Sequence, residues 1–227
     1  MTYLGKTALI LGSTGLVGSL CLDFLLAGEQ YDRVIAVSRR PLDRSHPKLI
    51  NIVTDFENLS PIESQLKADD VFCAIGTTIR HAGSKEKFRT VDFNYPLSVA
   101  EIAVKNGARQ MVLISSVGAN KESSAFYLRV KGELEQALAQ LPFASLHILR
   151  PAMLDGKRSN ERFRERVGVV FSRAIAFLLV GPLKKYRAIL AADVARVMLQ
   201  VAQIATPGVH IYESDQIQSI ADKSSRA

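Results

Sequence analysis

A glycine-rich turn between an apolar run and a helical pattern constrains this chain more than any other feature. The run Ala8–Leu11 is typical of a buried strand. It leads directly into Gly12–Gly18, GSTGLVG, after which apolar residues recur at helical spacing. In such a unit Gly12 lets the chain turn sharply, Gly15 lets a phosphate approach the backbone, and Gly18 lets the helix pack on the strand. Because the free N–H groups at the start of the helix face the turn, the pattern predicts a cradle for a pyrophosphate.

Strands and helices alternate along the rest of the chain, and this alternation predicts the fold class. Short apolar runs predict strands at Arg33–Ser38, Leu49–Val53, Val71–Ile75, Gln110–Ser115, Ser145–Arg150 and Val209–Tyr212. Helical spacing covers Ser84–Asn106, where Pro96 marks a kink or a new first turn, the residues after Tyr127, and Ala192–Ile204. We therefore expect an α/β fold with a Rossmann-like, doubly wound parallel sheet.

The length of 227 residues suits one domain of this kind. We expect residues 1–213 to form it, with a reduced substrate-side part at about 151–208, and residues 214–227 to form a polar C-terminal tail that frays. Cys21 and Cys73 are the only cysteines, which favours buried free thiols in a reducing compartment. The N-terminus passes straight into the first predicted strand without a secretory signal, so we expect a cytoplasmic protein.

The charge pattern bears on the partners of this protein. Against 22 Asp+Glu stand 29 Lys+Arg, a net charge of +7, and the excess gathers in Arg80–Arg89, Lys157–Arg166 and Lys184–Arg187. These segments contain few aromatic residues, so we expect a cleft that attracts anions and no nucleic-acid binding. The four histidines lack metal-ligand spacing, and we expect no metal site.

The most apolar stretch, Val167–Val180, is too short to span a bilayer and contains Arg173. We expect no integral membrane segment. The stretch predicts a helix that is buried or faces a second subunit of a homodimer, with peripheral membrane contact as the alternative.

The end of the second predicted strand indicates which nucleotide is bound. In a dinucleotide-binding unit this strand end meets the adenosine ribose, where an acidic residue would accept hydrogen bonds from both hydroxyls of NAD. This chain has Arg39 and Arg40 there, and guanidinium groups suit a 2′-phosphate. We therefore expect NADP(H). After the third strand, Asp55 either accepts a hydrogen bond from the adenine or caps a turn. After the fourth, Gly76 lets the backbone approach the dinucleotide or is an ordinary loop glycine.

A tyrosine and a lysine after the fifth strand predict the chemistry. Tyr127 and Lys131 are one helical turn apart, on one face of a predicted helix, and Ser115 and Ser116 follow the strand. Hydride transfer between a nicotinamide and a carbonyl carbon requires a proton donor for the carbonyl oxygen. Tyr127 suits that role, and the nearby ammonium of Lys131 would lower its pKa and hold the nicotinamide ribose. Ser116, or Ser115 in its place, would polarise the carbonyl. The alternatives are that the serines only cap the strand end and that Tyr127 and Lys131 are a pair on the surface of an amphipathic helix.

Together the motifs GSTGLVG, SRR, AIGTT, LISSVGA and YLRVK resemble the short-chain dehydrogenase/reductase superfamily, of the atypical kind. FCAIGTTIRHAG, SSAFYLRVKGELE and ILRPAML…ER are similar to the Tat-interacting-protein-30-type NADPH-binding proteins and their bacterial relatives. The resemblance covers residues from about Lys6 to about Tyr212. It implies a Rossmann-like domain with a reduced C-terminal part.

The resemblance also implies which residues contact the cofactor. Carried over residue by residue, these contacts fall on Thr14, Gly15, Leu16 and Val17 in the turn, on Arg39 and Arg40 at the 2′-phosphate, and on Ile75, Gly76, Tyr127, Lys131, Leu154 and Arg162. Two departures stand out: the chain is too short for the substrate domain of the larger epimerases, and only Asn94 is a candidate for the asparagine of the proton relay.

From these observations we expect an NADP(H)-dependent oxidoreductase that acts on a small carbonyl or alcohol substrate. Two alternatives remain. One is an NADPH-binding regulator with little turnover, in which Tyr127 and Lys131 mainly hold the ribose. The other is a small epimerase or isomerase that retains its cofactor.

Overall fold

Seven parallel strands form the central sheet in the computed structural model, which describes residues 5–155, 186–204 and 206–224. The strands within these residues are β1 (Lys6–Leu11), β2 (Tyr31–Ser38), β3 (Leu49–Val53), β4 (Asp70–Cys73), β5 (Gln110–Ile114), β6 (Ser145–Arg150), β7 (Leu154–Asp155), β8 (Ile189–Leu190) and β9 (Gly208–Glu213). The sheet has the order β3-β2-β1-β4-β5-β6-β9, and β7 and β8 form a separate parallel pair. This arrangement confirms the predicted Rossmann-like class.

Helices cover both faces of the sheet. They are α1 (Leu16–Ala27), α2 (Ile79–Ala82), α3 (Lys85–Arg89), α4 (Tyr95–Lys105), α5 (Phe126–Ala139), α6 (Ala191–Ile204) and α7 (Ser214–Ser224), with a 3₁₀ turn at Ser60–Gln65. Side chains of β1 alternate between the two layers: Ala8 and Ile10 pack with α1, α6 and α7, while Leu9 and Leu11 pack with α4 and α5. Burial on both faces explains why this strand is a continuous apolar run.

The predicted helix at Ser84–Asn106 is divided into three parts. Between α3 and α4 lies a π-helical turn, Thr90–Asn94, and Pro96 is in the first turn of α4. Proline has no N–H group to donate to the preceding turn, so the regular α-helical pattern does not run through this point. π-helical turns are frequent at functional sites, and this one carries Asp92.

The C-terminal residues are a helix where a polar, fraying tail is expected. In α7, Ile217 and Ala221 are buried one turn apart, and they pack in the same core cluster as Val194 of α6. A stripe of two or three apolar residues is enough to hold a short polar helix on the domain. The two apolar residues are present in the sequence, but the polar residues around them make the helix hard to recognise.

A buried histidine joins the last two strands of the sheet. The Nδ1 atom of His147 is 3.0 Å from the hydroxyl of Tyr212, and its Nε2 atom is 3.1 Å from the hydroxyl of Ser145. The imidazole stacks on His210, with 5.3 Å between ring centroids. Burial, and then the neighbouring His210, lower the pKa of His147 from 6.5 to about 4.

Acidification should therefore destabilise the fold through His147. In the unfolded chain the imidazole has its ordinary pKa, so below about pH 6.5 the unfolded state binds a proton that the folded state does not. The contribution is complete above about pH 7 and is lost toward pH 4, by about 2 kcal/mol at pH 5. Urea unfolding at about pH 7 and about pH 5 measures the loss in the free energy of unfolding. In His147→Gln the loss should be smaller by about this amount, and equal losses in the two proteins would contradict the prediction.

Candidate active site

A cavity of about 870 Å³ opens at the carboxyl edge of the sheet, and we call it the central cavity. Its walls come from residues that follow β1, β2, β4, β5 and β6, where ligands bind in doubly wound sheets. Its volume is within the range of about 300–1,000 Å³ that is typical of small-molecule sites. The predicted site residues that line it are Gly12, Thr14, Gly15, Leu16, Val17, Arg39, Ile75, Gly76, Ser115, Ser116, Tyr127, Lys131 and Leu154.

The glycine turn depends on very close backbone packing. Gly12 has a φ of +81°, and a Cβ atom there would lie 2.5 Å from the backbone of Ala74, after β4. A Cβ atom on Gly18 would lie 2.0 Å from the carbonyl oxygen of Gly12. Gly18 therefore lies beneath the turn, outside the cavity wall, and it serves the close helix packing that the sequence predicts.

The start of α1 is suited to an anion. Gly15 immediately precedes α1. No side chain caps the start of the helix, and the first turn of the helix contains no acidic residue. The N–H groups of this turn are therefore available to a ligand, at the positive end of the helix dipole. Ser13 also lines the cavity, and within the described part of the chain its buried hydroxyl has no hydrogen-bond partner. A phosphate would satisfy both groups.

The two arginines after β2 occupy different places. Both are exposed, but Arg39 lines the central cavity, whereas Arg40 lies outside the lining. The predicted pair is thus divided, with Arg39 the better placed residue for a ligand in the cavity.

Asp55 does not line the cavity. It is exposed, and its Oδ1 atom accepts a hydrogen bond of 2.9 Å from the N–H group of Glu57, which is the turn alternative. Phe56 and Glu57 line the cavity instead, together with Tyr95. The rings of Phe56 and Tyr95 stack at 5.0 Å, and the Tyr95 hydroxyl donates to Glu57 over 2.8 Å. Of the two alternatives for Asp55, the structure shows the turn, and the two residues that follow it line the cavity.

The serines and the tyrosine converge on the same cavity. Ser115 and Ser116 follow β5, and the buried Ser115 hydroxyl has no hydrogen-bond partner among the described residues. Tyr127, in the first turn of α5, packs its ring against buried Phe88, with 5.5 Å between ring centroids. Gly132 lets α5 approach the loop after β5, since a Cβ atom at position 132 would lie 2.3 Å from the backbone nitrogen of Lys121. This close approach brings α5 to the end of β5.

Lys131 forms a buried ion pair with a residue that the sequence analysis missed. Its Nζ atom is 2.7 Å from Oδ1 of Asp92, and the two side chains are 5% and 0% exposed. The N–H group of Thr77 donates to Oδ2 of Asp92 over 2.8 Å. Burial lowers the pKa of Lys131, but Asp92 and Tyr127 raise it by more, so the net direction is upward. Asn94, the candidate for the relay asparagine, is exposed and lies outside the cavity lining.

The segment after β4 contributes further residues that the sequence analysis did not select. Three of them line the cavity: Thr78, which caps the start of α2, His81 in α2, and Lys87 in α3. The hydroxyl of Thr78 accepts a hydrogen bond from the N–H group of His81 and so begins that helix. Threonine followed by a helical pattern is the only sequence signal for this part of the wall.

Several predictions fall on residues that the structure does not describe. They are the cofactor contact at Arg162, the basic segment Lys157–Arg166 and the apolar stretch Val167–Val180. In the described ranges 5–155, 186–204 and 206–224, no helix is long and apolar enough to cross a membrane, and no cluster of three or more potential ligand side chains could hold a metal ion.

Residues 12–204 match the model of a family described as NAD(P)H-binding. The chain belongs to this NAD(P)H-binding family. It is 32% identical to the mitochondrial protein FMP52 of Lodderomyces elongisporus over 216 residues, or 90% of each chain. It is 37% identical to protein HTATIP2 of Rattus norvegicus over 161 residues, 69% of this chain and 66% of the relative.

A solved structure supports the same assignment at the level of fold. A short-chain dehydrogenase family protein from Francisella tularensis matches with a TM-score of 0.62 and 15% identity, covering 93% of this chain and 98% of the other. The expected resemblance is confirmed: the chain is an NAD(P)H-binding protein with FMP52 and HTATIP2 among its relatives, and its fold is like that of a short-chain dehydrogenase family protein.

The expectation of a cytoplasmic location is wrong. FMP52 relatives from three yeasts are named mitochondrial, and they contradict it. The lack of a secretory signal, on which the expectation rests, separates secretion from retention in the cell and does not distinguish one internal compartment from another.

The residues present fit a nicotinamide dinucleotide. The uncapped helix start and the orphaned Ser13 hydroxyl suit the pyrophosphate. At the other end of the cavity, the buried Ser115 hydroxyl and the ammonium of Lys131 provide polar groups near Tyr127. Hydride transfer is the chemistry that the nicotinamide of such a cofactor would supply when bound.

Breaking the buried ion pair should destabilise this NAD(P)H-binding protein strongly. Asp92→Ala leaves the Lys131 ammonium buried without its carboxylate, and we expect the free energy of unfolding to fall by about 3–5 kcal/mol. The double variant Asp92→Leu, Lys131→Met removes both charges and should recover most of this loss. Urea unfolding measures all three proteins.

The surface pair of Lys105 and Glu63, whose side chains are 73% and 34% exposed, provides the control. Lys105→Ala should cost less than about 1 kcal/mol. A loss in Asp92→Ala as small as this would contradict the prediction.

Proposed function

We propose that the protein is an NADP(H)-dependent oxidoreductase that transfers a hydride to or from a small carbonyl or alcohol substrate. The observation that carries the proposal is the convergence of Ser116, Tyr127 and Lys131 on the cavity that also contains the glycine turn. A cofactor whose pyrophosphate lies at the start of α1 would extend its nicotinamide toward these three side chains.

In the proposed reaction each side chain has one task. The Ser116 hydroxyl donates a hydrogen bond to the carbonyl oxygen and polarises the bond. As a hydride adds to the carbonyl carbon, the electron pair of the C=O bond moves to the oxygen, and the Tyr127 hydroxyl gives its proton to that oxygen. Lys131 keeps its positive charge because the neighbouring Asp92 carboxylate raises its pKa. Its ammonium has further N–H donors for the ribose. The oxidation of an alcohol reverses these steps.

Removal of the phenol should abolish turnover while the cofactor still binds. We expect Tyr127→Phe to lower the rate of NADPH oxidation with a carbonyl substrate by about 10²–10⁴-fold, because the proton donor is lost. Its dissociation constant for NADPH, measured by nicotinamide fluorescence, should change by less than about twofold. Tyr212→Phe removes a phenol that contacts His147, away from the cavity lining, and is the matched control. Unchanged turnover in Tyr127→Phe would refute the proton-donor role.

The preference for NADP(H) is supported by the charge at the end of β2. Arg39 lines the cavity there, next to Ser38, and this strand end carries no carboxylate that could accept hydrogen bonds from the ribose hydroxyls of NAD. A guanidinium group favours a phosphate at this place, and Arg40 is one residue away on the same loop.

Replacement of these arginines should remove the preference. In Arg39→Asp, Arg40→Ala the ratio of the NADH and NADPH dissociation constants should fall by at least about tenfold, since each charge-assisted hydrogen bond contributes about 1.5–3 kcal/mol. Arg109→Ala removes a positive charge at the amino end of β5 and should leave the ratio unchanged. Tighter binding of NADH than of NADPH by the wild type would refute the proposed cofactor.

The same measurements separate the enzyme from its two alternatives. NADPH titration combined with a panel of carbonyl compounds gives binding and oxidation for an oxidoreductase. Binding without oxidation of any compound indicates a regulator, and turnover of a substrate without net loss of NADPH indicates an epimerase or isomerase.

A further inference from the structure

One side-chain amide on β3 holds both ends of the loop that carries the two arginines. The Nδ2 group of Asn51 donates to the carbonyl oxygen of Ala36 and to the hydroxyl of Ser38, each over 2.9 Å. Its Oδ1 atom accepts a hydrogen bond of 2.9 Å from the N–H group of Leu42. Ser38 is the last residue of β2 and Leu42 follows the two arginines and Pro41, so the amide of Asn51 ties together the two ends of the segment SRRPL, which we call the loop Ser38–Leu42.

A second hydrogen bond extends this arrangement into the loop. The hydroxyl of Ser38, which accepts from Asn51, donates to the carbonyl oxygen of Arg40 over 2.7 Å. The backbone on both sides of Arg39 is therefore fixed: at Ser38 by the strand and by Asn51, and at Arg40 by Ser38. Further along, Arg44 pairs with Asp23 of α1 at 2.5 Å and holds the chain that follows.

We propose that Asn51 is a positioning residue for the 2′-phosphate of NADP(H). It lies outside the cavity lining and acts through the loop Ser38–Leu42, which it holds in one conformation before the nucleotide binds. Long arginine side chains lose conformational freedom when they bind a phosphate, and a loop that is already ordered reduces that cost. Asparagine is well suited to this place because it combines two donors with an acceptor, whereas an aspartate would lack the donors. The inference rests on the proposed preference for NADP(H).

The test compares two nucleotides that differ only in the 2′-phosphate. Asn51→Thr places a good strand former on β3, with a hydroxyl that is too short to bridge Ser38 and Leu42. We expect its dissociation constant for NADPH to rise about five- to tenfold and that for NADH to change by less than about twofold. Asn51→Ala should behave in the same way. Nicotinamide fluorescence titrations measure both constants.

Asn106→Ala provides the matched control. Asn106 is also half-buried, and its Nδ2 group donates to the carbonyl oxygen of Glu63. Neither residue lines the cavity. This variant loses an amide hydrogen bond to the backbone and should keep the wild-type ratio of the two constants. A general loss of stability would weaken binding of NADPH and NADH equally, so the ratio separates positioning from folding.

Hydrogen exchange gives a second test that needs no variant. The N–H group of Leu42 should be protected in the protein without nucleotide, because Asn51 already binds it. Rapid exchange that slows only when NADPH is added would overturn the inference, as would an unchanged NADPH preference in folded Asn51→Thr. If the wild type itself does not prefer NADPH, the proposed cofactor preference fails, and the inference fails with it.

Discussion

The close contact of three backbone segments near the carboxyl end of β1 sets the geometry of the whole site. Gly12 touches the backbone after β4, and Gly18 touches Gly12, so the turn, the helix and the neighbouring strand end have no room for side chains between them. This packing fixes where α1 begins relative to the ends of β4 and β5. The glycine turn and the side chains of Ser116, Tyr127 and Lys131 thus share one rigid reference, although they lie far apart in the sequence.

Electrostatic balance at the other end of the cavity depends on one buried pair. Asp92 neutralises Lys131, and the N–H group of Thr77 occupies the second carboxylate oxygen. A buried ammonium with such a partner keeps its charge without adding a net charge to the site. Asp92 lies on the π-helical turn and Lys131 lies on α5, so the pair joins two segments that are distant in sequence.

Periodic and positional signals in the sequence were sufficient for the fold and for much of the cavity wall. Gly12, Arg39, Gly76, Ser116, Tyr127 and Lys131 follow strand ends or lie on one helix face, and a parallel sheet brings such positions to one edge. Asp92 and Asn51 could not be found in this way. Each acts through contacts across the fold, with α5 and with the β2–β3 loop, and neither contact leaves a pattern in the local sequence. Asp55 shows the converse, since its spacing was suitable and its side chain turns to Glu57.

The short pair of β7 and β8 has a consequence for how such a protein can diversify. Leu154 and Ile189 are partners in this parallel pair, so two points that are distant in sequence lie side by side. The sheet is then completed by β9, which pairs with β6 along its length. Because the entropic cost of closing a loop grows by only about 0.6 kcal/mol for each doubling of its length, a change in the number of residues between β7 and β8 costs little free energy once the two strands are paired. The nucleotide-binding part of such a scaffold can therefore stay unchanged while the number of residues that follow β7 varies.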